Sequence, residues 1–238
     1  MGQSNTQSNR PNGLCPAVAL SLCPEAKMAK GNLIALAGFA RCGKSVFGQA
    51  LVERAGFTDL AFGSVIKAFF GDFIAGDSSI SELQDAMLAV NPQMSTEEWL
   101  DFYDRILIPF WKLDLMCDAH TEDDADKSAI RPILERGGEL IYDYVFTEYF
   151  AQVDALLADG KPVVNTRLVK IPEARAWRER GGQIILVQRK DWPPSTEWEH
   201  DALEALIKTD LTTGVTYNHG TAEEWALKAN EYADKELA

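Results

Sequence analysis

From residue 32 onward, short apolar runs alternate with longer stretches of helical period. Asn32–Ala37 is apolar after its first residue and brief, as a strand buried on both faces must be. Ser45–Arg54 reads as the first helix, Phe57–Phe62 as a short strand, and Ser64–Phe73 as a second helix. Residues 78–118 are mostly helical in pattern, with Ser81 and Ser95 as N-caps, and Glu98 completes a capping box with Ser95. A helix pair follows near Ala129–Arg136 and Glu139–Ala158. The pattern then alternates: strand Lys161–Thr166, helix Pro172–Arg180 closed by Gly181-Gly182, strand Gln183–Gln188, helix Glu197–Lys208, strand Val215–Asn218, helix Ala222–Lys235. Strands separated by helices predict an α/β domain with a parallel sheet and helices on both faces.

Residues 1–30 are Ser/Asn/Gln-rich and then Pro-punctuated, without periodicity, and are expected to form a disordered tail. Residues 31–238 are expected to form the domain, with a helical insertion at about 72–130. In the insertion Trp99, Phe102, Tyr103, Phe110 and Trp111 recur near helical spacing. They are read as a small core, with a base-stacking surface as the alternative.

Between the first strand and first helix lies Gly38-Phe39-Ala40-Arg41-Cys42-Gly43-Lys44-Ser45, which fits the G-x-x-x-x-G-K-[ST] phosphate loop. Glycines let backbone N–H groups turn towards a polyphosphate, and the helix N-terminus adds positive potential. Lys44 is expected to reach the β- and γ-phosphates of ATP and Ser45 to hold Mg²⁺, with Val46 next to them in the first turn. The expected cofactors are therefore ATP and Mg²⁺.

The net charge of −13 opposes an extended nucleic-acid footprint, which calls for a basic face. Part of that acid is local, in Glu122–Asp126, read as a solvated loop. No apolar run approaches the roughly 18–20 residues of a membrane span, so no membrane partner is expected. Cys15, Cys23, Cys42 and Cys117 show no metal spacing, which suits a reducing cytosol. His120, His200 and His219 form no ligand pattern and are read as surface residues.

Several further motifs occur in a fixed order. Phe62-Gly-Ser64-Val-Ile-Lys67 follows the phosphate loop, and Arg131-Pro-Ile-Leu-Glu135-Arg-Gly-Gly138 precedes a strand ending Asn165-Thr-Arg167. The Gly181-Gly182 helix end, a strand ending at Arg189 and Asn218-His-Gly-Thr221 complete the set. Taken in order, and with Arg41 at the fourth position of the phosphate loop, these motifs resemble the deoxynucleoside monophosphate kinases of bacteriophages. That family is a branch of the P-loop nucleoside monophosphate kinase-like proteins, and related phage kinases act on 5-hydroxymethyluracil in DNA. The likeness spans about residues 31–235 and leaves the insertion unmatched.

The resemblance implies a parallel sheet flanked by helices and γ-phosphoryl transfer from ATP·Mg²⁺ to a nucleotide in the (host) cytoplasm. The acceptor is a deoxynucleoside monophosphate or, as the alternative, a hydroxymethylated base in DNA. A non-catalytic nucleotide-binding module is a further alternative, and a homodimer remains open. Arg41, Lys44, Arg131, Arg167 and Asn165 are the implied catalytic set. Gly38–Val46, Arg189 and Asn218 would border ATP; Lys67, Arg131, Glu135 and Arg167 would border the acceptor. Asn165 stands where the family has Asp, Glu135 where it has Gln, and Ser64 where it has an acid. An aspartate at position 165 is expected to be tolerated.

Overall fold

The computed structural model describes residues 31–113, 117–121, 123–189, 194 and 197–236. The expectations for residues 1–30 lie outside them.

Strand β1 (Leu33–Ala37) leads through the phosphate loop into α1 (Lys44–Ala55), and a two-residue strand β2 (Thr58–Asp59) follows. Helices α2 (Phe62–Ala75), α3 (Ile80–Val90), α4 (Thr96–Phe102) and α5 (Ile108–Trp111) come next, α4 and α5 joined by a π-helical turn at Tyr103–Leu107. Helix α6 (Asp124–Pro132) runs through a second π turn, Ile133–Gly137, into α7 (Gly138–Leu140) and α8 (Tyr142–Ala158). Pro132 inside this run removes a backbone donor, a recognised cause of such irregularity. The remainder is β3 (Val163–Asn165), α9 (Ile171–Glu179), β4 (Gln183–Arg189), α10 (Glu197–Ile207), β5 (Gly214–Asn218) and α11 (Ala222–Glu236).

The five strands form one parallel sheet in the order β2-β3-β1-β4-β5. Period-2 alternation assigns each strand residue to one of two cores. Leu33, Ala35, Ala37, Val163, Ile184 and Leu186 face the larger one, which holds α2, α8 and the helices between them. Ile34, Leu36, Val164, Ile185 and Val187 face the smaller one, against Phe47, Leu51 and Trp225 of α1 and α11. Every residue of β1 is buried, so the strand is apolar throughout rather than alternating.

On the helices between α2 and α8, Trp99, Phe102 and Phe110 are buried and belong to the larger core, whereas Trp111 is 68% exposed. The packing reading holds for the first three, which excludes them as a base-stacking surface. Ser95 and Glu98 form the expected capping box on α4. The cap of α3 is Ser79, paired with Glu82, rather than Ser81.

Candidate functional site

The phosphate loop leaves the carboxyl end of the central strand, with the ends of β3 and β4 on either side. This is the crevice in which open parallel sheets bind ligands. Gly38 has φ 146° and Gly43 φ 106°, conformations that side chains avoid. A Cβ on Gly38 would drive into the Val187 carbonyl, and one on Gly43 into the Trp225 indole N–H. Arg41 is held at φ 60° with its side chain exposed, a strained non-glycine position of the kind found at functional loops.

The loop is braced from behind. Asn218 Nδ2 donates to the Cys42 carbonyl at 3.0 Å, and Trp225 Nε1 donates to the Gly43 carbonyl at 2.9 Å. Asn218 is only 5% exposed, so its side chain supports the loop rather than opening to the cleft. Thr221 N-caps α11 in a capping box with Glu224.

The N-cap of α1, Gly43, offers no side chain, and the first turn carries no acidic residue. Its leading N–H groups therefore keep their partial positive charge for an external anion. Lys44 Nζ folds back to donate to the carbonyls of Gly38 (2.6 Å) and Phe39 (2.7 Å). Burial lowers the Lys44 pKa and raises that of the Cys42 thiol, so Cys42 is a quiet thiol. The Ala40 N–H of the loop donates to a carboxylate oxygen of Glu199 from α10.

Beside Ser45 lies a cavity of about 300 Å³ lined by Ser45, Gln49, Asp59, Ser64, Lys67, His120, Thr166 and Arg167. A second cavity, about 450 Å³, shares Lys67 and His120 with it and continues along α2 past Gly71 and Asp72 to Asp118. Arg167 acts electrostatically on both Lys44 and Asp59, so the three charges converge at the mouth of the loop. Crowding by protein raises the Asp59 pKa, offset in part by Arg167 and by hydrogen bonds from Thr166.

Asn165 is fully buried at the end of β3. Its Nδ2 donates to Tyr149 Oη at 2.9 Å, and its Oδ1 accepts the Arg167 N–H at 2.8 Å. Tyr149 Oη in turn donates to the Leu60 carbonyl. Both ends of the Asn165 amide are thus committed inward, and what they fix is the turn carrying Thr166 and Arg167.

Among the expected site residues, Gly38–Ser45, Lys67 and Arg167 come together around this cleft. Val46 is exposed on the first turn of α1, and Arg189 is exposed at the end of β4. Arg131 and Glu135 are exposed and line neither cavity. Two residues not singled out from the sequence join the site. Asp59 arrives on β2, paired opposite Val164, and His120, read as a plain surface residue, stands exposed where the cavities meet.

No protein-family model matches the chain, and no curated protein matches it. Among solved structures it is similar to a dephospho-CoA kinase from Campylobacter jejuni, with a TM-score of 0.48 and 13% identity over 87% of this chain and 98% of that one. A likeness at that level carries nothing about chemistry, which rests on the residues themselves.

Proposed function

We propose that this protein is a P-loop phosphotransferase that moves the γ-phosphoryl group of ATP to a free deoxynucleoside monophosphate. The observation that carries the reading is the pair of neighbouring cavities, sharing Lys67 and His120, the first of which is lined by Ser45. The first holds cations, Lys67 and Arg167, beside the phosphate loop; the second adds the space of a nucleoside. Their volumes suit a small ligand, and the net charge of −13 disfavours a duplex.

Phosphoryl transfer asks chiefly for positioning and for cations near the developing charge. Lys44 and the first-turn amides of α1 hold the triphosphate, with Arg41 at the rim of the loop. Arg167 faces both donor and acceptor phosphates, and Lys67 anchors the acceptor where the two cavities join. Ser45 and Asp59 would hold Mg²⁺, directly or through water. Among the described residues no cluster of three His, Cys, Asp or Glu side chains could bind a metal, so the ion would take most of its ligands from phosphate and water. When bound, Mg²⁺ supplies neutralising charge at the phosphates. Asp59 gives the carboxylate that Asn165 does not, from the neighbouring strand, while Asn165 positions Arg167.

The test is ADP release with ATP·Mg²⁺ and each of the four deoxynucleoside monophosphates. Acceptor-dependent turnover is expected with at least one, and Arg167→Ala should raise the acceptor KM and lower kcat. Asp59→Asn should lower kcat with little change in the ATP KM. ATP binding without acceptor-dependent ADP release would leave a nucleotide-binding module instead.

A further inference from the structure

The Ala40–Glu199 contact joins residues far apart in sequence and puts a carboxylate on a backbone donor of the phosphate loop. A phosphate loop works by offering backbone N–H groups to phosphate oxygens, so a carboxylate oxygen on one of them occupies ground a triphosphate needs. Three other observations describe the same closed arrangement. Phe39 of the loop and His200, next to Glu199, lie with rings nearly parallel, 13° apart at 6.5 Å between centroids. The Glu199 charge acts on Lys44. Lys44 Nζ is turned onto the loop's own carbonyls of Gly38 and Phe39 rather than outward. The donor amide is satisfied from within the chain by a carboxylate that phosphate would have to replace, and two of the three ammonium donors are engaged on loop carbonyls.

We propose that Glu199 is an intramolecular competitor for the phosphate loop, so that the first turn of α10 must lift before a polyphosphate binds. The proposal rests on the reading of the loop as the ATP site and adds a residue that sets its affinity. A protein whose competent form is only partly populated binds with an apparent Kd raised by that fraction. The effect is confined to ligands whose phosphates reach the loop. A nucleoside without phosphate gains nothing from the removal of Glu199.

The experiment measures Kd by calorimetry on the full chain for ATP, inorganic tripolyphosphate and adenosine, in wild type, Glu199→Ala and Glu199→Gln. Thermal melts check folding, and Glu199→Gln, which keeps an acceptor oxygen but no charge, carries the test if the alanine variant is unstable. Expected for Glu199→Ala is a Kd lower by about three- to tenfold for ATP and tripolyphosphate, the scale of losing one partly exposed charged hydrogen bond. Glu199→Gln should shift the same way by less, and adenosine should not shift. Equal ATP affinity in wild type and both variants would overturn the proposal, as would an equal gain for adenosine, which would signal general loosening. If wild type binds neither ATP nor tripolyphosphate, the phosphate-loop reading itself fails and this inference falls with it.

Discussion

Gly48 lies in the interior of α1, where replacing glycine by alanine ordinarily stabilises a helix by about 1 kcal/mol. Here the sign should reverse. A Cβ at position 48 would overlap Thr166 Cγ2, with Thr166 Cβ at 3.6 Å and Leu36 Cδ1 at 3.9 Å behind it. Thr166 has no easy retreat, because it is β-branched, buried directly after β3, and hydrogen-bonded to Asp59. Overpacking of this kind costs about 1–3 kcal/mol. Set against the helix gain, Gly48→Ala should destabilise the protein by about 1 kcal/mol and lower Tm by about 2–4 °C for a domain of this size. Thr166→Ser removes only the offending methyl, so in that background Gly48→Ala should become neutral or stabilising. Urea titrations of wild type, both single variants and the double variant close the cycle, with an expected coupling of about 1–3 kcal/mol. A Gly48→Ala single variant more stable than wild type would show that Thr166 does not crowd position 48 and would remove the constraint that sets α1 against the Thr166–Arg167 turn.

Lys44→Ala should abolish phosphoryl transfer while costing at most about 1–2 kcal/mol of stability, since it deletes hydrogen bonds to two loop carbonyls and no core packing; turnover with a denaturant melt checks both. Asn165→Asp, which the sequence alone marks as tolerated, should instead destabilise the fold at neutral pH by about 1–3 kcal/mol, because it buries a carboxylate and removes the donor to Tyr149. Burial would raise that carboxyl's folded pKa, so the deficit should shrink as pH falls towards about 4, and a pH-independent deficit would contradict this origin. Glu173 is 4% exposed and burial pushes its carboxyl up to about 7, although it accepts the N–H groups of Lys170 and Val169. The folded state then holds a proton that the unfolded chain has released, so stability should fall as pH rises from about 4.5 to about 7. Glu173→Gln should flatten that slope in denaturant titrations across the window, and an unchanged slope would show that other groups set it.

The strands and helices that carry the phosphate loop were legible because their physics is local. β1 is apolar on both faces, and the glycine spacing of the loop is written in consecutive residues. The cap of α3 was ambiguous for a local reason too. Ser79-x-x-Glu82 and Ser81-x-x-Gln84 both satisfy the capping-box spacing, and the chain starts the helix at the first. Asp59 was not legible, because a lone acid in a two-residue strand means little until β2 pairs with β3 and sets it beside Thr166 and Arg167. The inward commitment of Asn165 depends on Tyr149, sixteen residues earlier on another element. Glu199 meets Ala40 across 159 residues, a contact no pattern of spacing announces. His120 carries no motif and gains its place from a loop anchored by the Cys117 N–H to the Ile74 carbonyl.

Under the proposed function, ATP gives its γ-phosphoryl group to a free nucleotide. That transfer is tested most directly by incubating the protein with γ-labelled ATP and Mg²⁺, with the four deoxynucleoside monophosphates, plain duplex DNA, and duplex DNA containing 5-hydroxymethyluracil as separate acceptors. Label is expected in a deoxynucleoside diphosphate and not in plain duplex, with an acceptor KM that responds only weakly to salt. Binding to a duplex would instead weaken steeply with salt through counterion release. Label appearing only in the hydroxymethyluracil-containing DNA would rule out a free nucleotide and make the modified base the acceptor.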